Sequence, residues 1–249
     1  MAFRSAPPVY KSSEMFAERL RRHILRGEYM PGEMLPTERA LALEADLGRG
    51  SVREALRILE TQGLVRTHAG RHGGSVVTRP SEVLLAQQID SFAKTRELPF
   101  LALVDARAAV EPMVAQLAAL HRTDDDLASL RRISDRLDAA AVADVRRFLK
   151  ENMKWHEAMA VACGNDLLRA FAKSISQLMY DASHIAGFAT PDVRAVVSKS
   201  HRRILDAVER GDAEAARRRS ERDIAAYGKY LAAVLKTAAG SRARSGRIA

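Results

Sequence analysis

Apolar residues recur three and four positions apart along most of this chain, and β-type patterning is confined to one short stretch. Phe16, Leu20 and Ile24 make a first helical stripe after Ser12 and Ser13, the candidate N-caps, and Gly27 with Pro31-Gly32 ends it. Thr37 and Glu38 open a short second run that breaks at residues 46–48. A third starts near Arg49 and stops at Gly63. The β-prone segments 64–67 and 75–78 then flank a flexible glycine-rich sequence at 69–74, the pattern of a hairpin. Two helices across a tight turn followed by a hairpin predict a winged helix-turn-helix over residues 10–80.

Past Arg79-Pro80-Ser81 the strand signals disappear and long Ala/Leu-rich helical runs take over. Helices are expected over 82–94, from Pro99 onward with a kink at Pro112, and then over 124–140, 144–162, 166–187, 192–210 and 213–239. Thr123 followed by three aspartates is a strong N-cap with acid against the positive end of the helix dipole. The predicted fold class is therefore mainly α: the winged module with its small β-hairpin, then an all-helical antiparallel bundle over 81–240. A loose arm over 1–9 and a disordered basic tail over 241–249 complete the expected organisation.

Composition agrees with a helical protein, at 47% hydrophobic but only 5% aromatic residues. The net charge of +9 divides as +4 over residues 1–80, +2 over 81–240 and +3 over 241–249, which suits a polyanionic partner. The single cysteine, Cys163, excludes an internal disulfide and reads as a small buried residue rather than a reactive thiol; a reducing, cytoplasmic setting is expected. No apolar run approaches the ~20 residues of a membrane span, and no signal-peptide core is seen, so no membrane partner is expected.

Several short runs fall in one register: Leu35-Pro36-Thr37-Glu38-Arg39, Arg49, Val52-Arg53-Glu54-Ala55-Leu56, Leu59, Gly63-Leu64-Val65 and Gly70. This pattern resembles the winged helix-turn-helix of the GntR family of bacterial transcription regulators. The resemblance implies DNA contacts by Arg39, Arg49 and Arg53, with Gly50, Ser51, Gly70 and Arg71 close by. Arginines at the head of a helix in the major groove can grip guanine edges or phosphates, and wing glycines let backbone approach the minor groove. The chain departs from the family at Asp46-Leu47-Gly48, where Gly-Val-Ser is usual. The hydroxyl that should cap the recognition helix is missing at Gly48, Asp46 is the candidate replacement, and Gly50 removes a side chain near the bases.

The helical part resembles the FCD effector domain of the family's FadR branch, whose marker runs supply a metal site. Asn152, His156, His201 and Asp223 fall on the ligand positions, where the family carries Asp, His, His and His. By helical geometry Asn152 and His156 share an inward face with Phe148 and Met159, so polar groups interrupt apolar stripes and need partners. A divalent ion such as Zn, Ni or Mn would satisfy several of them; mutual hydrogen bonding in the core is the other reading. Arg107 falls where the family commonly has an arginine facing the effector cavity. Its fork suits a small carboxylate effector, an organic or sugar acid, or else an ion pair with Glu111 four residues on. Trp155 and His184 read as core or cavity wall.

The expected function is a ligand-responsive, operator-binding transcription regulator, a repressor by family habit, acting as a homodimer on an inverted repeat of double-stranded DNA. Two other classes compete. One is a hydrolase-like metalloenzyme with an appended DNA module, for which Glu157 beside His156 is the nearest candidate base. The other is a charge-driven architectural protein.

Overall fold

The computed structural model describes the backbone of residues 11–245 except 69, 71, 72, 187 and 188; side chains within 182–188, at 235 and beyond 236 fall outside the description. The chain divides into two compact units, residues 1–84 and 85–249. The division falls four residues later than the predicted linker because the start of the fourth helix still packs on the first unit. A Cβ at Gly63 would come within 3.1 Å of Leu84 Cδ2 and 3.2 Å of Pro80 Cα, and Gly63 itself has φ +69°.

In the first unit, α1 (Ser12–Leu25), α2 (Glu38–Ala45) and α3 (Arg49–Thr61) precede β1 (Val65–His68) and β2 (Gly74–Val77). The strands pair antiparallel with Val65 opposite Val77 and His68 opposite Gly74. Leu35 and Gly32 donate backbone hydrogen bonds to Ser75 and Val77 of β2, tying the α1–α2 connection to the hairpin. Phe16, Leu20 and Ile24 bury the stripe of α1 against Val52, Leu56 and Leu59 of α3 and against Leu35 and Val65. The cap of α1 is Lys11, one residue before the expected serines; its backbone N–H donates to Glu14 Oε2 at 3.4 Å.

The second unit contains α4 (Glu82–Thr95) from Leu85 onward, then α5 (Phe100–His121), α6 (Asp124–Ala143), α7 (Val145–Ala162), α8 (Asp166–Ala186), α9 (Pro191–Glu209) and α10 (Ala213–Ser245). Thr123 caps α6 as expected, accepting from the Asp126 N–H while Asp126 accepts from Thr123. Pro112 lies inside α5, which continues past it to His121. The core joins Val114 and Ala118 of α5 to Leu130 of α6, Trp155 and Met159 of α7, and Ile204, Leu205 and Val208 of α9. Cys163 is buried in that core. The backbone of the last helix runs to Ser245, into the stretch expected as a basic tail, where no proline interrupts it. Residues 1–10, which include the expected arm, and residues 246–249 lie outside the described residues.

Candidate nucleic-acid interface and effector cavity

The turn between α2 and α3 sets the edge that carries the residues expected at DNA. Asp46 adopts the left-handed region (φ 53°, ψ 48°) and ends α2, its N–H bonding back to Ala42 and Leu43 carbonyls. It therefore does not replace the missing serine. The residue at the N-cap of α3 is Gly48, extended at φ −69° and ψ 146°, and no side chain caps the helix. The first turn of α3 thus keeps uncapped N–H donors at the positive end of a helix dipole, a ready anion site.

Arg49 and Gly50 stand exposed on that turn with Ser51 half-buried behind them, and Arg39 is exposed on α2. Neither Arg39 nor Arg49 has an ion-pair partner among the described residues. Arg53, one turn further along α3, is held by Glu38 across the motif. Its Nη2 donates to Oε2 at 3.1 Å and its Nε to Oε1 at 3.4 Å, which leaves Nη1 unengaged by the pair. The hydrogen bond to Glu38, then its charge, raises the Arg53 pKa. The spacing of fifteen residues hid this contact from sequence reasoning. Gly70 is exposed in the wing with φ +116°, while Arg71 lies outside the described residues.

The second unit contains a cavity of about 50 Å³ that gathers the other sequence-predicted residues, Arg107, Asn152, His156, His201 and Asp223, with Glu111 and Ser176. Arg107 grips Glu111 with both arms of its fork, Nε to Oε1 at 2.7 Å and Nη2 to Oε2 at 2.9 Å, and both side chains are buried. Burial opposes the Arg107 charge, but Glu111 beside it more than restores it and raises its pKa. The ion-pair reading of Arg107 is thus realised, and Nη1 stays unengaged by any described residue. Nη2 also approaches His156 Nε2 at 3.4 Å, and His156 Nδ1 lies 3.5 Å from Glu111 Oε2.

His201 is 1% exposed, stacked on Trp155 with ring centroids 3.9 Å apart, and its Nε2 lies 3.8 Å from Asp223 Oδ2. The indole N–H of Trp155 is satisfied by Ser134 Oγ at 3.1 Å. Burial pushes both imidazoles well below the ordinary histidine range, with the Arg107 charge adding to the effect, and raises the Asp223 carboxyl. Three buried polar atoms of the cavity residues have no hydrogen-bond partner among the described residues: Asn152 Oδ1, Ser176 Oγ and His201 Nδ1. Ser176 was missed from the sequence, although with Ala172 and Met179 it completes a buried stripe on α8, the same signal that exposed His201. Glu157 does not line the cavity, and the His184 side chain lies outside the described residues.

In chemistry the donors fit a divalent ion of borderline softness: two neutral imidazoles, a carboxylate, and an amide oxygen with no partner. Their spacing is wider than a closed coordination shell. Among the described residues no three His, Cys, Asp or Glu side chains stand where one ion could join them.

A winged module with Arg39 on α2 and Arg49 at the head of α3 both free, followed by a helical unit enclosing a polar cavity, defines a DNA-binding regulator. Residues 12–74 match the bacterial regulatory proteins of the gntR family and residues 102–226 match the FCD domain. The chain belongs to the GntR family of bacterial regulators and carries an FCD domain. It is 30% identical over 220 residues to the HTH-type transcriptional repressor NanR of Cronobacter sakazakii, covering 84% of this chain and 80% of that one. NanR of Salmonella newport is 32% identical over 163 residues, covering 64% of this chain and 62% of the relative. Among solved structures, Streptococcus agalactiae GntR superimposes with a TM-score of 0.64 at 25% identity, covering 87% of this chain and 99% of that one. The protein is a DNA-binding transcription regulator and not an enzyme, which removes the hydrolase alternative. Among the described residues no helix is long and apolar enough to cross a membrane.

Proposed function

We propose that the protein is a cytoplasmic, ligand-responsive repressor of the FadR branch that binds an inverted-repeat operator as a homodimer and is controlled by a small organic or sugar acid. The observation that carries the DNA half is the uncapped first turn of α3, where Arg49 stands free beside unpaired N–H groups. Arg39, Arg49 and Arg53 contact DNA directly, with Gly50, Ser51, Gly70 and Arg71 against the backbone and grooves. Support for a second copy comes from exposed Met113 and Leu120 on α5 and Leu167 and Phe171 on α8, two helices that pack together.

The unengaged Nη1 of Arg107 receives the effector carboxylate, and the orphaned Ser176 hydroxyl donates to it. In the same reading Asn152, His156, His201 and Asp223 would hold a divalent ion, Zn, Ni or Mn, which would supply a Lewis-acidic partner for an effector oxygen. Effector binding favours one of two arrangements of the dimer and so releases DNA.

Binding to the protein's own upstream region should exceed binding to random DNA at physiological salt by a ratio of ~10³ or more; equal affinities would instead leave a charge-driven architectural protein. Elemental analysis of protein purified without added metal, compared with a His156→Ala/His201→Ala variant, tests the ion. Equal metal content in the two removes it.

A further inference from the structure

The inner cavity is too small for a whole effector. At about 50 Å³ it has room for roughly four water-sized groups, enough for a carboxylate and the carbon that carries it. A second cavity of about 420 Å³, within the range of small-molecule sites, opens beside it between the start of α9 and the middle of α10. The two share Val193, Val197, Asp223 and Tyr227 in their walls, so they lie side by side.

Their walls differ in kind. The inner chamber carries the Arg107 fork and three orphaned polar atoms. The outer vestibule is walled mainly by Val193, Val196, Val197, Ala226, Tyr227 and Tyr230. Val196 is 65% exposed, a branched apolar side chain held in the open beside this space. The polar residues that join this wall are Asp192, Asp223, Thr190, whose Oγ1 accepts from the Val193 N–H to cap α9, and the two tyrosines through their hydroxyls. A polyhydroxylated acid placed across both chambers would set part of its hydroxyls against Val193, Val196, Val197 and Ala226, which offer them no side-chain partner.

We propose that the effector is an amphipathic carboxylic acid, with its head on Arg107 in the inner chamber and an alkyl or aryl body in the vestibule between α9 and α10. This rests on the reading of Arg107 as the carboxylate receptor and narrows the acid to one with an apolar body.

Calorimetric titration of the full chain with octanoate, phenylacetate, lactate, gluconate and the uncharged octanol tests it. Octanoate and phenylacetate should bind at least about tenfold more tightly than lactate or gluconate, since burying even a few methylene groups gives that factor. Octanol should bind at least about tenfold more weakly than octanoate. Ala226→Trp, at an exposed position of α10, should fill the vestibule and weaken octanoate at least about tenfold while leaving lactate within about twofold. Val196→Asn should weaken octanoate in the same direction by less, and unchanged operator binding by the ligand-free variants shows that both are folded. If lactate or gluconate binds as tightly as octanoate, or Ala226→Trp leaves octanoate unaffected, the vestibule assignment is overturned and the Arg107 reading stands. If no acid binds, or octanol matches octanoate, the Arg107 reading falls and the vestibule proposal with it.

Discussion

Replacing Arg107 with methionine keeps the length and apolar stem of the side chain and removes only the charged fork. Glu111, whose side chain is 10% exposed, then loses two hydrogen bonds of 2.7 and 2.9 Å and keeps only the 3.5 Å approach of His156. Stranding a buried carboxylate in this way costs about 3–5 kcal/mol, whereas removing both charges together leaves no stranded group. Arg107→Met should therefore destabilise the second unit by about 3–5 kcal/mol, and Arg107→Met/Glu111→Leu should recover most of that loss. Urea unfolding reads this directly, because Trp155 is the only tryptophan of the chain and sits in the core of that unit. With a slope of about 2 kcal/mol per molar, the single variant's midpoint should fall by about 1.5–2.5 M. A loss under about 1 kcal/mol for Arg107→Met, or a double variant no more stable than the single, would refute the claim that Arg107 exists in part to neutralise Glu111.

Gly48→Ser should raise the melting temperature of the first unit by about 2–6 °C. It supplies a cap and lowers unfolded-state entropy at an extended position with nothing within 4 Å of its added Cβ, and a lower melting temperature would contradict the uncapped geometry. Arg49→Ala should weaken operator binding by about tenfold or more with no change in stability, a difference that gel-shift and thermal measurements separate. Stability of metal-free protein should fall steeply as pH drops below 6.5. Burial depresses the folded-state values of His156 and His201, whose neighbours include Arg107, Glu111 and Asp223, so below 6.5 the unfolded chain binds more protons than the native one. The slope approaches about 2.7 kcal/mol per pH unit for two histidines. Asp223 acts with the opposite sign, because its raised carboxyl favours the folded state at low pH and loses that contribution as pH rises through its folded value. A stability profile flat between pH 8 and 5 would rule out buried neutral imidazoles.

The winged module could be read residue by residue because its determinants are local. Gly63 has to turn left-handed, Thr37 caps α2 through the Ala40 N–H, and the stripe of α1 has a single face to bury. The cavity residues were legible for a different reason: His201 and Asn152 are polar interruptions in apolar helix faces, and burial makes such residues informative. What stayed hidden depends on distance along the chain or on backbone conformation. The pairing of Arg53 with Glu38 joins two helices, and no periodicity encodes it. Asp46 has the composition of a cap for α3, yet its left-handed φ commits it to ending α2. Ser174 and Ser176 look alike in sequence, but the first donates to the Ala170 carbonyl at 2.8 Å while the second lines the cavity without a partner.

The two glycines at the head of α3 separate what holds the module together from what it reads. Neither Gly48 nor Gly50 has a positive φ, and a Cβ at either would meet open space, whereas Val52, Leu56 and Leu59 behind them are locked in the core. A Cβ can therefore be added at 48 and 50 without touching the scaffold. A library confined to these two positions should consist mostly of folded proteins that differ in operator preference, which makes this edge a place where DNA specificity can be rewritten independently of the fold.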